Sequence, residues 1–201
     1  LEAAAAPVLL LAVARPGVLE QRSVWAGDRP DCRLLRLDAL PAEGARALVG
    51  EVLQRVPQLP ERLRARIADV SGGNPFYIEE LVKMYIEQAV IVPGAAEDAP
   101  WAVAVEQMDA VRVPPTLVGL LQARLDALPV AERRALQHAA VLGRVFWDTA
   151  LATLAAPPGA PTAGSPPALP TAINRELIDP RAPSTFAGTQ EYAFRHALLR
   201  D

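Results

Sequence analysis

The sequence has few of the residues that build disulfide frameworks and metal sites. Its 201 residues include one cysteine, Cys32, and two histidines that are far apart, His138 and His196. One cysteine excludes an internal disulfide, and so few ligands of this kind argue against a zinc site. Lysine is almost absent as well, since Lys83 is the one lysine among 20 basic residues. We assign no function to this bias.

The chain also lacks a hydrophobic run that is long enough to cross a membrane. Its longest apolar stretch, from Ala3 to Ala14, ends at Arg15, whereas a membrane-spanning helix needs about 20 apolar residues. No basic flank of the secretory type precedes this stretch. We therefore expect a piece of a larger cytoplasmic protein. The net charge of −3 gives no reason to expect a general nucleic-acid binder.

An apolar content of 51% predicts a packed core. The unbroken apolar run over residues 7–13 is typical of a central strand of a parallel sheet, and residues 32–37 form a weaker second strand candidate. From Pro41 onward the apolar spacing becomes helical. We interpret residues 1–57 as the end of an α/β domain.

The middle of the chain, residues 58–112, has a helical pattern. One helix is predicted from Pro60 to the Gly72-Gly73 pair, and another begins at Asn74 and Pro75, which suit the cap and the first helical position. Residues 90–92 and 101–105 predict a short hairpin.

Residues 113–201 contain several shorter elements. We predict helices over residues 117–128, 131–142, 148–155 and 171–178, with a mobile loop rich in proline, alanine and glycine over residues 157–168. Phe186 is predicted to pair with residues 192–194 as a hairpin. Helices followed by a hairpin are the order expected of a winged-helix domain. The predicted fold class is therefore mainly α.

Motifs of phosphate chemistry and of nucleophilic catalysis are absent from the sequence. It contains no G-x-x-x-x-G-K-[ST] loop, no apolar strand that ends in paired acids, and no Ser–His–Asp or Cys–His arrangement. We expect no catalysis by this chain alone.

Three segments in order carry a resemblance to a known family: VLLLAVARP (8–16), GNPFYIEEL (73–81) and YAFRHALLRD (192–201). The chain resembles the signal-transducing (STAND) branch of the AAA+-like P-loop ATPases. These ATPase modules accompany nucleotide-cyclase or LuxR-type helix-turn-helix domains in large bacterial regulators. The resemblance implies that the chain starts after the Walker B strand and continues through a helical lid into a winged-helix domain.

The resemblance also implies three nucleotide contacts. Arg15 corresponds to a residue that senses the γ-phosphate, Pro75 to a proline that packs on adenine, and His196 to a histidine that reaches the β-phosphate of ADP. Each has a structural alternative: a solvated arginine at a strand end, an ordinary capped helix start, and a half-buried histidine bonded to the backbone. The implied cofactor is ATP or ADP, with Mg²⁺ in the whole protein.

The leading interpretation is part of a nucleotide-dependent switch that regulates an attached effector. Its partners would be nucleotide, other domains of the same protein and possible further copies of the chain. One alternative is a DNA-binding winged-helix regulator, although Arg175 and Asn174 are a poor supply of groove-reading side chains beside Glu176 and Asp179. Another is a helical scaffold for protein contacts.

Overall fold

A computed structural model describes residues 9–14, 32–96, 98–156 and 168–200. The chain divides into two compact units, Leu1–Asp38 and Ala39–Asp201. The described residues are mainly helical, as predicted. The helices and strands in chain order are α1 (Ala42–Val52), α2 (Glu61–Ser71), α3 (Pro75–Glu87), β1 (Ile91–Val92), β2 (Ala102–Val103), a 3-10 turn (Val105–Gln107), α4 (Leu117–Asp126), α5 (Val130–Leu142), β3 (Val145–Trp147), α6 (Asp148–Ala155), α7 (Pro170–Asn174), β4 (Ile178–Arg181), β5 (Glu191–Phe194) and α8 (Ala197–Arg200).

In the first unit, the prediction of two strands is wrong for the residues that are described. Residues 9–14 and 32–38 have no regular secondary structure, and their apolar side chains are exposed, with Leu9 at 93% and Leu37 at 93%. A parallel strand is stable only beside hydrogen-bonded neighbours, and neither segment belongs to a sheet of the described residues. Arg15 and the start of the first predicted strand lie outside the described residues.

In the second unit, helices α1 to α3 and the β1–β2 hairpin surround the first apolar cluster. The hairpin is antiparallel, with Ile91 opposite Val103, as the sequence predicts. Ile78, Leu81 and Tyr85 on α3 are almost fully buried in this cluster. The predicted division of the chain at residue 57 stays a prediction.

The second apolar cluster lies between α5, α7 and a three-stranded antiparallel sheet. The strand order is β3-β5-β4, so the last strand lies between the other two. Phe146 and Phe194 fill the cluster, and their ring centroids are 5.2 Å apart. Strand β3 was not expected from the sequence.

Two C-terminal predictions are corrected by the structure. The helix predicted over 171–178 ends at Asn174, and Ile178 instead begins β4, opposite Phe194. Phe186 is not in a strand; it lies in the connecting loop, and its ring contacts Trp147 at 4.9 Å. Ile178 is in the sheet because it pairs with Phe194 there and its side chain is buried. This tertiary contact decides its secondary structure, and the local sequence does not. The predicted loop over 157–168 lies outside the described residues except for Ala168.

Candidate functional site

The Gly72-Gly73 pair allows a close turn between α2 and α3. Gly72 ends α2 in the left-handed conformation, with φ +56°, and Gly73 has φ +76°. A Cβ atom on Gly73 would lie 2.1 Å from the carbonyl oxygen of Leu40, and the Leu40 amide donates to the Gly73 carbonyl at 2.8 Å. Only glycine fits this close approach without a shift of the backbone.

Helix α3 begins as the sequence predicts. The side chain of Asn74 accepts a hydrogen bond from the amide of Tyr77 at 3.3 Å, and Pro75 occupies the first helical position. Pro75 is exposed. The hydroxyl of Tyr77 donates to the carbonyl of Pro114 at 2.5 Å, which ties the start of α3 to the segment before α4.

One side of α3 carries polar and aromatic residues at helical spacing. Successive residues of a helix are about 100° apart, so positions separated by four, seven and eleven residues fall on one stripe. This stripe consists of Phe76, Glu80, Lys83 and Glu87. It faces the C-terminal part of the second unit, as the following contacts show.

The aromatic end of this stripe contacts His196. The ring centroids of Phe76 and His196 are 3.7 Å apart, with the rings tilted by 36°. His196 is half-buried directly before α8. Burial is the largest influence on its imidazole and lowers its pKa below 6.5; Glu80 and Glu79 oppose this shift, while Lys83 and Arg195 add to it. The structure thus brings the helix that begins at Pro75 into contact with His196 through Phe76.

The charged part of the stripe forms an ion-pair network with the C-terminal elements. Glu80 and Arg124, at 1% and 3% exposure, are bonded to each other. Arg124 also donates to the carboxylate of Glu87 at 2.9 Å and to the carbonyl of Arg175 at 2.5 Å. A buried charge is stable only when it is paired and hydrogen-bonded. The guanidinium of Arg124 meets this condition with three partners: the carboxylates of Glu80 and Glu87 on α3, and the carbonyl of Arg175 after α7.

Glu176 completes the network from the turn between α7 and β4. Its carboxylate lies 2.8 Å from the Lys83 ammonium and 2.5 Å from the Arg195 guanidinium. The hydrogen bond from Lys83 is the main cause of its lowered pKa. Glu176 has φ +55°, a conformation that favours glycine. We use the term ion-pair network for these six residues: Glu80, Lys83, Glu87, Arg124, Glu176 and Arg195.

Of the three predicted nucleotide contacts, His196 lies against Phe76, Pro75 is the exposed residue before Phe76, and Arg15 lies outside the described residues. The described contact of the His196 ring is with the tilted ring of Phe76, and the choice between a nucleotide contact and a structural histidine stays open. Sequence reasoning missed the ion-pair network. The spacing Phe76, Glu80, Lys83 and Glu87 was the available signal, although nothing in it indicates the distant partners Arg124 and Glu176.

The described residues offer neither a metal site nor a membrane-spanning helix. No group of three histidine, cysteine, aspartate or glutamate residues within 9–14, 32–96, 98–156 and 168–200 is arranged to hold a metal ion. No helix in that same part of the chain has the length and apolar character needed to span a bilayer.

Comparison with protein families, with curated protein sequences and with solved structures finds no match to this chain. The function is therefore argued from the residues and their contacts.

Proposed function

We propose that this chain is part of a nucleotide-dependent signalling switch, in which ATP or ADP controls how a helical lid docks on a winged-helix domain. Residues 1–57 would be the end of a P-loop α/β domain, 58–112 the lid and 113–201 the winged-helix domain. The contact between Phe76 and His196 carries the proposal. It joins the two described segments for which the resemblance implies nucleotide contacts.

The C-terminal topology supports the winged-helix part of the proposal. Helices α5, α6 and α7 precede the β4–β5 hairpin, and β3 adds to the free edge of β5. This is the helix order expected of a winged helix, with a small antiparallel sheet at its end. The α7 N-terminus is held by Glu132, whose carboxylate accepts from the amides of Thr171 and Ala172.

The ion-pair network supplies the charged part of the proposed docking surface, beside Leu120 of α4, which is buried in the first apolar cluster. Its members come from α3, from α4, from the turn between α7 and β4, and from the residue that follows β5. Their exposure ranges from the buried Glu80 to the half-exposed Glu176. Charged contacts between two elements are lost with less exposure of apolar surface than a hydrophobic interface. A ligand that binds one arrangement better than the other shifts the population by its differential affinity.

The network also weighs against the alternative of a DNA-binding winged helix. Arg175 follows the candidate recognition helix α7, and its guanidinium donates to the Arg124 carbonyl at 3.4 Å. Glu176 pairs with Lys83 on α3. The Arg175 guanidinium is thus engaged inside the molecule, whereas a recognition helix needs its cationic side chains free for phosphates and bases.

Calorimetric titration of the full-length protein with ADP tests the proposal. His196→Ala is expected to weaken ADP binding about tenfold, the loss expected for one charge-assisted hydrogen bond. His138→Ala on α5 is the matched control and is expected to leave the affinity unchanged. Equal affinities in the wild type and the His196→Ala variant, or no ADP binding at all, would refute the proposal.

A second measurement tests the rearrangement itself. Spin labels at the exposed positions Glu79 on α3 and Arg134 on α5, in a Cys32→Ser background, report the distance between lid and winged helix. The distance distribution should differ between the ADP-bound and ATP-bound protein. Identical distributions would contradict a switch that works by domain movement.

A further inference from the structure

The outer face of the three-stranded sheet forms an open depression of about 370 Å³. Residues of one pleat face lie side by side across the strands, because Ala193 on the central strand is opposite both Val145 and Asp179. The opposite face carries Phe146 and Phe194 into the second apolar cluster. The floor of the depression is therefore a small alanine between a valine and an aspartate.

Three arginines line this depression: Arg144, Arg181 and Arg195. The lining contains one acidic residue, Asp179, so it carries three positive charges and one negative charge. The whole chain has a net charge of −3. Glu176 and Glu191, just outside the lining, pair with Arg195 and Arg181, so Arg144 is the one arginine of the lining without a carboxylate partner among the described residues.

The three guanidinium groups differ in how they are held. Arg195 pairs with Glu176 at 2.5 Å and lies 4.0 Å from Asp179. Arg181 lies 3.6 Å from Glu191. No carboxylate of the described residues lies within ion-pair distance of Arg144, which is exposed. Each paired arginine uses only one or two of its five N–H donors on a carboxylate, so further donors remain for a ligand.

We propose that this depression binds the phosphate group of a small-molecule ligand. Planar guanidinium groups hold phosphate oxygens with paired hydrogen bonds, and two of the three here are oriented by carboxylates. A small anion can occupy the depression, whereas a long polyanion would also meet Asp179 and the negative charge of the rest of the chain. Arg195 directly precedes His196 in the chain, but neither Arg144 nor Arg181 is a proposed nucleotide contact, and the proposal does not depend on those contacts.

Calorimetric titration of the protein with sodium pyrophosphate tests this site. We expect saturable binding with a dissociation constant of about 1 mM or tighter, weakened about tenfold in the Arg144→Gln/Arg181→Gln double variant. Asp179→Asn should have the opposite effect and tighten binding several-fold, because it removes the one negative charge of the lining. The opposite signs distinguish a site from a general loss of folding, and circular dichroism of each variant confirms the fold.

Arg62→Gln is the matched control, since Arg62 is an exposed arginine paired with Asp109 at 2.7 Å and does not line the depression. Equal weakening by Arg62→Gln and by the double variant would reduce the effect to overall charge and overturn the proposal. Absence of saturable pyrophosphate binding would overturn it as well.

The proposal would also be overturned if His196→Ala abolished pyrophosphate binding while the double arginine variant did not, because the anion would then belong to the proposed nucleotide site. A 12-base-pair duplex that binds when pyrophosphate does not would assign this face to nucleic acid instead.

Discussion

The two faces of α3 are held by different interactions. One face places Ile78, Leu81 and Tyr85 in the first apolar cluster, where each is at most 1% exposed. The other places Glu80 and Lys83 in the ion-pair network with partners from the C-terminal half. The same thirteen residues thus contribute to an apolar cluster on one face and to an ion-pair network on the other.

The difference concerns what happens when the contacts are separated. Pulling the apolar face away exposes hydrocarbon to water at a cost that scales with area. Separating the charged face from its partners returns the charged side chains to water, which solvates them well. We therefore expect α3 to stay with the first cluster in any rearrangement, while its charged face is the surface that separates.

The largest expected effect comes from the apolar face. Leu81→Ala should lower the free energy of unfolding by about 3 kcal/mol, because it removes buried methyl groups and leaves a cavity. Urea denaturation measures the change. Glu79→Ala on the exposed side of the same helix is the control and should change stability by less than about 0.5 kcal/mol. Similar losses in both variants would contradict the comparison.

The next effect tests the charged face with a double-mutant cycle. Glu80→Leu should lower the free energy of unfolding by about 2 to 3 kcal/mol, since it leaves Arg124 buried with Glu87 as its remaining carboxylate partner. Glu80→Leu combined with Arg124→Leu should recover at least half of that loss, because no fully buried charge is left unpaired and the Glu87 carboxylate that loses Arg124 is partly exposed to water. If the two single losses simply add, the pair is not coupled and the network is not what joins the two halves.

A smaller effect, of opposite sign, concerns the end of α3. Ala89 follows this helix with φ +57°, the conformation that glycine adopts at the end of α2, and it is exposed. Ala89→Gly should raise the free energy of unfolding by about 0.5 to 1 kcal/mol, because the relief of backbone strain exceeds the added flexibility of the unfolded chain. Thermal unfolding followed by circular dichroism measures it. A stabilisation that also strengthens the Glu80–Arg124 coupling would show that the two faces are not independent.

The smallest effect is the pH dependence at the aromatic end of the stripe. Because burial lowers the pKa of His196 in the folded state, the unfolded state binds the proton more readily. The resulting stability is present above pH 6.5 and is lost as the pH falls from 6.5 towards the lower pKa of the folded state.

His196→Phe keeps a ring against Phe76 and should abolish this pH dependence in urea titrations between pH 7.5 and 5. The lowered pKa of Glu176 gives a separate loss of stability below pH 4.5, which both proteins should share. A variant with the wild-type slope above pH 5 would assign the slope to other groups.

Local signals predicted the helices well. The Asn74 cap, the Pro75 start and the Gly72 end were all readable, because capping depends on side chains within a few residues of the helix end. The sheet was harder to predict. Its strands are three or four residues long, and each is stabilised by a partner from a distant part of the chain.

The site was predictable only in part. Pro75 and His196 were predicted as contacts through a resemblance, but the contact of Phe76 with His196 depends on tertiary packing. The buried charges of Glu80 and Arg124 are 44 positions apart. A charged residue on a helix normally predicts a solvated surface, so the sequence alone favoured the opposite environment.

The left-handed backbone of Glu176 has a consequence for related sequences. A carboxylate at a position that suits glycine is favoured only while Lys83 and Arg195 are there to bind it. Homologues that lose the lysine at position 83 are therefore expected to carry glycine or asparagine at 176. In an alignment of homologues, such paired substitution at two positions 93 residues apart would distinguish the chains that have the Lys83–Glu176 ion pair from those that have lost it.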